Sequence, residues 1–164
     1  MANCCFIEME IRFENKEDKE RCFSMLSNDM KNYDKFEGYE LDGCSKYIHG
    51  FQVYDHSNYE IAIQGSVNWS LEHDEMKEYL DYFRNNYGIE KIVVHYEELS
   101  SDILGKYVFD GKELTDYYLS LEQINDIFEN SEYADDMDDE DKLDKYHDSL
   151  YAVLNNHPTV YKVC

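Results

Sequence analysis

The side chains able to do chemistry in this chain are carboxylates, histidines and cysteines, and each set meets a geometric objection. Glu97 and Glu98 are adjacent in an apolar, strand-like stretch. Neighbours on a strand point to opposite faces, so the two cannot flank one substrate as an acid–base pair. The histidines His49, His56, His73, His95, His147 and His157 are scattered. Cys44, His49 and His56 would make a zinc site only by folding a loop and a hairpin together, and their spacing fits no standard ligand pattern. Asp135-Asp136-Met137-Asp138-Asp139-Glu140-Asp141 invites calcium. A calcium-binding EF-hand loop needs Gly at its sixth position and Glu at its twelfth, and no register supplies both. A solvated, mobile loop is the expectation there. Cys4, Cys5, Cys22, Cys44 and Cys164 form an odd set without a CxxC spacing, which reads as reduced thiols. Nucleophile elbow, Walker A loop and dinucleotide fingerprint are all absent. The expectation is a non-enzymatic protein with no catalytic residues, no metal and no cofactor.

What stands out instead is the amount and arrangement of acid. Thirty-seven Asp and Glu oppose 15 Lys and Arg, for a net charge of −22 over 164 residues. Nucleic acid is bound by cations that displace phosphate counterions, so direct binding of DNA or RNA is disfavoured. Anionic membranes repel the chain for the same reason. His49-Gly50-Phe51-Gln52-Val53-Tyr54 loosely echoes an RNA-stacking strand but lacks the basic residue before Gly, so its aromatics read as core or protein-contact residues. Aromatics make up 15% of the chain, which separates it from disordered acidic sequences. Glu72, Glu75, Glu78 and Asp81 recur every third residue, with Asp74 beside them. Like charges at that spacing on a helix cost a few tenths of a kcal/mol per pair.

Two readings of this acid stay open. One is a solvated surface. The other is a dense, rigid array resembling a phosphate backbone, formed by Glu72, Asp74, Glu75, Glu78 and Asp81 with Asp135, Asp136, Asp138, Asp139, Glu140 and Asp141. Tyr79, Tyr82, Tyr117, Tyr118 and Tyr133 would supply anchoring area, with Tyr82 and Tyr133 counted among the partner-binding residues.

The elements that must position these residues are legible from periodicity. Ile7, Met9, Ile11 and Phe13 alternate with polar residues and predict a strand. Asn15 caps a helix carrying Cys22, Phe23, Leu26 and Met30. Residues 32–45 read as a loop, and Tyr47–Tyr54 and Tyr59–Val67 as strands joined by residues 55–58. Ser70 is expected to cap a second helix with Met76, Leu80, Phe83 and Tyr87 inward, closed by a left-handed Gly88. Lys91–Tyr96 is a fourth strand. This βαββαβ order is that of ferredoxin-like folds, with an antiparallel sheet and both helices on one face. Asp110-Gly111 signals a two-residue hairpin between 104–109 and 112–119. Ser120 and Gln123 form a capping box before Leu121, Ile124, Ile127 and Phe128. An acidic run at 129–145 precedes a last helix, with Leu143, Tyr146, Leu150, Val153 and Leu154, ending before Pro158. The expected fold is α+β: a ferredoxin-like core over residues 1–99, with a hairpin and an acidic helical extension over 100–164 packed on the same domain.

Met1-Ala2-Asn3-Cys4-Cys5 leading into a strand, Asn68-Trp69 opening a helix, and Tyr96-Glu97-Glu98 followed by Gly105 resemble the Api92-like proteins with a YubB-type ferredoxin-like domain. Where a Trp is common after the N-terminal Asn of that family, Cys4 stands here. The resemblance covers most of residues 1–119, implies the same fold and an origin in phages or other mobile elements, and brings no catalytic residues. In charge the chain is similar to acidic anti-CRISPR inhibitors.

Together these observations point to an inhibitor that occupies the basic nucleic-acid channel of a host defence protein, a CRISPR effector nuclease first. The alternative is an acidic module that binds a partner without displacing nucleic acid. The N-terminus has no basic residue ahead of an apolar stretch and no run spans a bilayer, so a cytoplasmic location in the host cell is expected.

Overall fold

Alternation of apolar and polar residues builds the central strand, β1 (Cys4–Phe13), whose Cys5, Ile7, Met9, Ile11 and Phe13 are buried. In this computed structural model, residues 4–32, 38–41, 47–68, 70–98, 103–136 and 138–164 are described. Helix α1 (Lys16–Asn32) follows, its start held by the Asp18 amide donating to Asn15 Oδ1 at 2.9 Å. The short β2 (Tyr39–Glu40) lies inside the stretch expected to be loop and pairs with β3 (Tyr47–Asp55). β3 and β4 (Glu60–Asn68) form the hairpin expected from residues 55–58. Phe51 and Val53 of β3 lie in the main core, as expected for that aromatic stretch.

Helix α2 (His73–Asn86) and β5 (Ile89–Glu98) complete this part. β6 (Ile103–Phe109), β7 (Leu114–Tyr118), α3 (Leu121–Glu129), α4 (Glu140–Asn156) and β8 (Thr159–Lys162) complete the chain. The protein is α+β, and its described residues form four α-helices and one antiparallel sheet of eight strands in the order β2-β3-β4-β1-β5-β6-β7-β8. β8, beyond Pro158, was not anticipated. Its four residues are too short to stand out by periodicity, and it is held by pairing with β7.

The helices lie on both faces of the sheet. Cys22 and Leu26 of α1 and Met76, Tyr79, Leu80 and Phe83 of α2 share one core with the inward residues of β1. On β6 the phase separates two surfaces. Tyr107 and Phe109 join that core, whereas Leu104 packs with Ile124, Tyr146, Leu150 and Leu154 of α3 and α4. Lys106, on the same face as Leu104, donates to Asn155 Oδ1 at 3.2 Å. Successive strand residues point to opposite faces, so α3 and α4 cover the face away from α1 and α2.

Several local expectations are corrected. The N-cap of α2 is Glu72, two residues beyond Ser70. Gly88 is not left-handed. A Cβ there would come within 2.9 Å of Glu14 Oε2, the movable end of a side chain, and the Gly88 amide donates to Asp18 Oδ2 at 2.9 Å. The Asp110-Gly111 turn is a four-residue loop. Asp110 Oδ1 accepts from the amides of Lys112 and Glu113, each at 3.0 Å, and Gly111 takes φ 91°. Leu121 is exposed rather than part of the apolar stripe of α3. The capping box at Ser120 and Gln123 is formed as expected.

Candidate functional site

The expected acidic array divides between the two faces of the sheet. Glu72, Asp74 and Asp81 are exposed on or beside α2, and Glu75 and Glu78 are half-buried. Asp135, Asp136, Asp138, Glu140 and Asp141 are exposed and Asp139 half-buried, around the start of α4 on the opposite side. No single flat partner surface can cover both groups.

Much of this acid also has a local cause. Glu75 Oε2 accepts the Glu72 amide at 2.8 Å, closing the first turn of α2. Asp139 does the same for α4, accepting from the Lys142 amide at 3.2 Å. Asp74, Glu140 and Asp141 stand in first turns, where the helix dipole favours negative charge by about 0.3–1 kcal/mol at such exposed sites. The repulsive cost expected from the threefold spacing is therefore offset at the helix starts. The acidic run is also more ordered than expected: Glu132–Asp135 forms a 3-10 turn and α4 begins at Glu140.

The proposed tyrosine anchors are mostly committed to packing. Tyr79 is wholly buried. The Tyr82 hydroxyl donates to Met25 Sδ at 3.3 Å, and Tyr133 stacks on Tyr146 at 5.5 Å. Tyr117 and Tyr118 are half-buried. Glu97 and Glu98 are separated as expected: Glu97 accepts from the Tyr151 hydroxyl of α4, and Glu98 is buried on the α1–α2 side. Cys44 of the dismissed zinc set lies outside the described residues, and among those described no group of three or more ligand-type side chains could hold a metal.

The structure also assembles a site that sequence reading passed over. A cleft of about 680 Å³ lies between the start of α2 and the end of the sheet formed by β5 to β8. Strand register builds its floor: Tyr107, Asp116 and Tyr161 face one another in a row across β6, β7 and β8. Asp116 is only 4% exposed. Its Oδ1 accepts from the Tyr96 hydroxyl at 2.8 Å, and its Oδ2 lies 3.0 Å from His73 Nε2. His73, the first residue of α2, stacks on Tyr161 with centroids 4.5 Å apart and meets the edge of Tyr107. The Tyr107 hydroxyl donates to the Leu71 carbonyl at 2.8 Å, tying the floor to the segment before the helix.

Electrostatics at the cleft follow from burial and from its carboxylates. Burial raises the Asp116 carboxyl above its ordinary pKa, and hydrogen bonds from His73 and Tyr96 partly oppose it. The Tyr96 and Tyr107 phenols are raised, first by burial and then by Asp116. Glu75 and Glu72 add to the effect at Tyr107, so the negative field reaches the cleft floor. The contact fixes the ring orientation: Nε2 faces Asp116, and in the neutral tautomer protonated at Nε2 the opposite nitrogen, Nδ1, is an acceptor.

One signal in the sequence could have found this site. Leu114, Asp116 and Tyr118 alternate on one face of a strand, and Asp is almost never buried without a partner. His73 as that partner required the tertiary fold. No family model, curated protein or solved structure matches this chain.

Proposed function

We propose that this protein is a non-enzymatic acidic inhibitor whose α2 face enters the basic nucleic-acid channel of a host defence protein, a CRISPR effector nuclease being the first candidate. The observation that carries the reading is the set of carboxylates on a fixed scaffold: Glu72, Asp74 and Asp81 are exposed while Met76, Tyr79, Leu80 and Phe83 anchor the same helix in the core. Closely spaced negative charge held rigid is what a cationic channel binds in a polynucleotide, and such encounters are steered electrostatically. Because the acid around α4 lies on the other face, the contact belongs to α2.

The resemblance to Api92-like proteins of mobile elements supports the host-defence setting and a cytoplasmic location in the host cell. The ferredoxin-like plan is part of the same reading. It is supported by β3, β4, β1 and β5 lying side by side and antiparallel, with α1 and α2 on one face. Among the described residues no helix is long and apolar enough to cross a membrane.

A competition experiment tests the proposal. Saturating protein is expected to displace guide–target or other nucleic acid from a basic effector and to block cleavage, with the effect weakening as salt rises. Unchanged binding and cleavage at saturation would end the inhibitor reading. Inhibition that requires at least one molecule of the protein per effector would support the non-enzymatic part, whereas full inhibition at substoichiometric amounts would point to acid–base chemistry at the His73–Asp116 pair, the strongest such candidate among the described residues.

The division of acid between two faces favours one second reading, an accessory module that binds a basic protein without displacing its nucleic acid. Its signature would be a ternary complex and a weak dependence on salt.

A further inference from the structure

We infer that the cleft between α2 and β6–β8 is a receptor for an arginine side chain presented by the basic partner. This rests on the proposed function for its partner and on the cleft's own chemistry for its ligand. Among the described residues, three carboxylates, Glu72, Asp74 and Asp116, line the cleft against one ammonium, Lys77, so the site favours a cation. Its remaining walls are largely aromatic: Tyr161 is 50% exposed and lies flat on His73, and Tyr118 also lines the cleft.

A guanidinium suits these features better than a compact ammonium. It is planar, stacks on aromatic faces, and carries donors in a fixed fork. His73 directs Nε2 to Asp116, and in the neutral tautomer protonated there the opposite ring nitrogen accepts from a donor entering the cleft. The carboxylates of Glu72 and Asp74, at the start of α2, can take the remaining guanidinium donors. Asp116 contributes field rather than contact, since both its oxygens are already engaged by Tyr96 and His73. At about 680 Å³ the space also admits the backbone on either side of an arginine, as a peptide segment requires.

The probe is acetyl-arginine amide, titrated into the full chain and followed by NMR at His73, Tyr118 and Tyr161. Acetyl-citrulline amide, its neutral isostere, and acetyl-lysine amide serve as comparisons. Expected is saturable binding with Kd on the order of 1 mM, the range a ligand of this size reaches. Citrulline should bind at least about tenfold more weakly, the effect of roughly one lost charge-assisted bond. Tyr161→Ala should weaken arginine binding severalfold while the unfolding midpoint holds, because that ring is half-exposed at the end of the sheet. Glu72→Gln is a second variant with the same expectation, should Tyr161→Ala disturb β8.

Equal binding of citrulline, shifts as large at residues 135–141 as in the cleft, or no saturable shift would each overturn the inference. Lysine binding as tightly as arginine would also overturn it, since the argument requires a planar cation. Failure here with effective displacement of nucleic acid leaves the proposed function standing. Arginine binding without displacement sinks that function and leaves the receptor cleft.

Discussion

Tyr96 on β5 lies across Gly105 on β6, its phenol covering the position a side chain would occupy at residue 105. A Cβ at Gly105 would overlap the Tyr96 hydroxyl and ring and come within 2.9 Å of the Tyr117 carbonyl. The absence of a side chain is what lets the phenol lie down and reach Asp116 at 2.8 Å.

Gly105→Ala is therefore expected to destabilise the fold by about 1–3 kcal/mol, the usual cost of overpacking. The same variant should displace the Tyr96–Asp116 contact. Urea unfolding checks the first effect and the Tyr96 resonance the second. An unchanged midpoint would mean the phenol is not fixed over the glycine.

The cap of α2 separates structural from displayed carboxylates. Glu75→Ala removes the acceptor of the Glu72 amide and is expected to cost about 1 kcal/mol, whereas Glu75→Gln retains an acceptor and most of the stability. Ser70→Ala should leave the helix unchanged, since Ser70 lies outside the cap. Thermal melts of the three variants decide this.

Partner binding should map to one face. Glu72→Gln, Asp74→Asn, Glu78→Gln and Asp81→Asn together are expected to weaken any complex at least about tenfold and flatten its salt dependence. Neutralising Asp135, Asp136, Asp138, Asp139, Glu140 and Asp141 should change affinity far less, because that acid lies on the opposite face. Titrations at two salt concentrations test both. The reverse ranking would move the interface to the start of α4.

Thiol chemistry should distinguish adjacent cysteines. Burial pushes Cys5 up to about 11 and Cys22 up to about 12, from an ordinary 9.0. Cys4 and Cys164 are exposed. Mass mapping after alkylation at pH 8 is expected to find Cys4 and Cys164 modified first, and Cys5 and Cys22 only on unfolding. Because both folded values are raised, the buried thiols contribute stability that is fully present below pH 9 and lost as pH rises through 11 to 12. A melting temperature flat across that window would contradict it.

The sequence by itself determined the elements whose signals are local. The alternation of Ile7 to Phe13, the Asn15 cap, the Ser120–Gln123 box and Met76, Leu80 and Phe83 of α2 appear where periodicity and capping place them, while Tyr79 joins that stripe and Tyr87 falls beyond the helix end. Such features depend on residues within a few positions of one another, so composition and spacing carry them. Charge was likewise legible as an amount. Where it is displayed was not, because the side of the sheet taken by α3 and α4 is decided by Leu104, one residue out of phase with Tyr107 on the same strand.

Only the tertiary structure decided the cleft. Asp116 meets His73 from 43 residues away and Tyr96 from 20. Tyr161 reaches the pair because a four-residue strand pairs with β7 after the last helix. Contacts over such separations follow from strand register and helix placement, and no local periodicity records them.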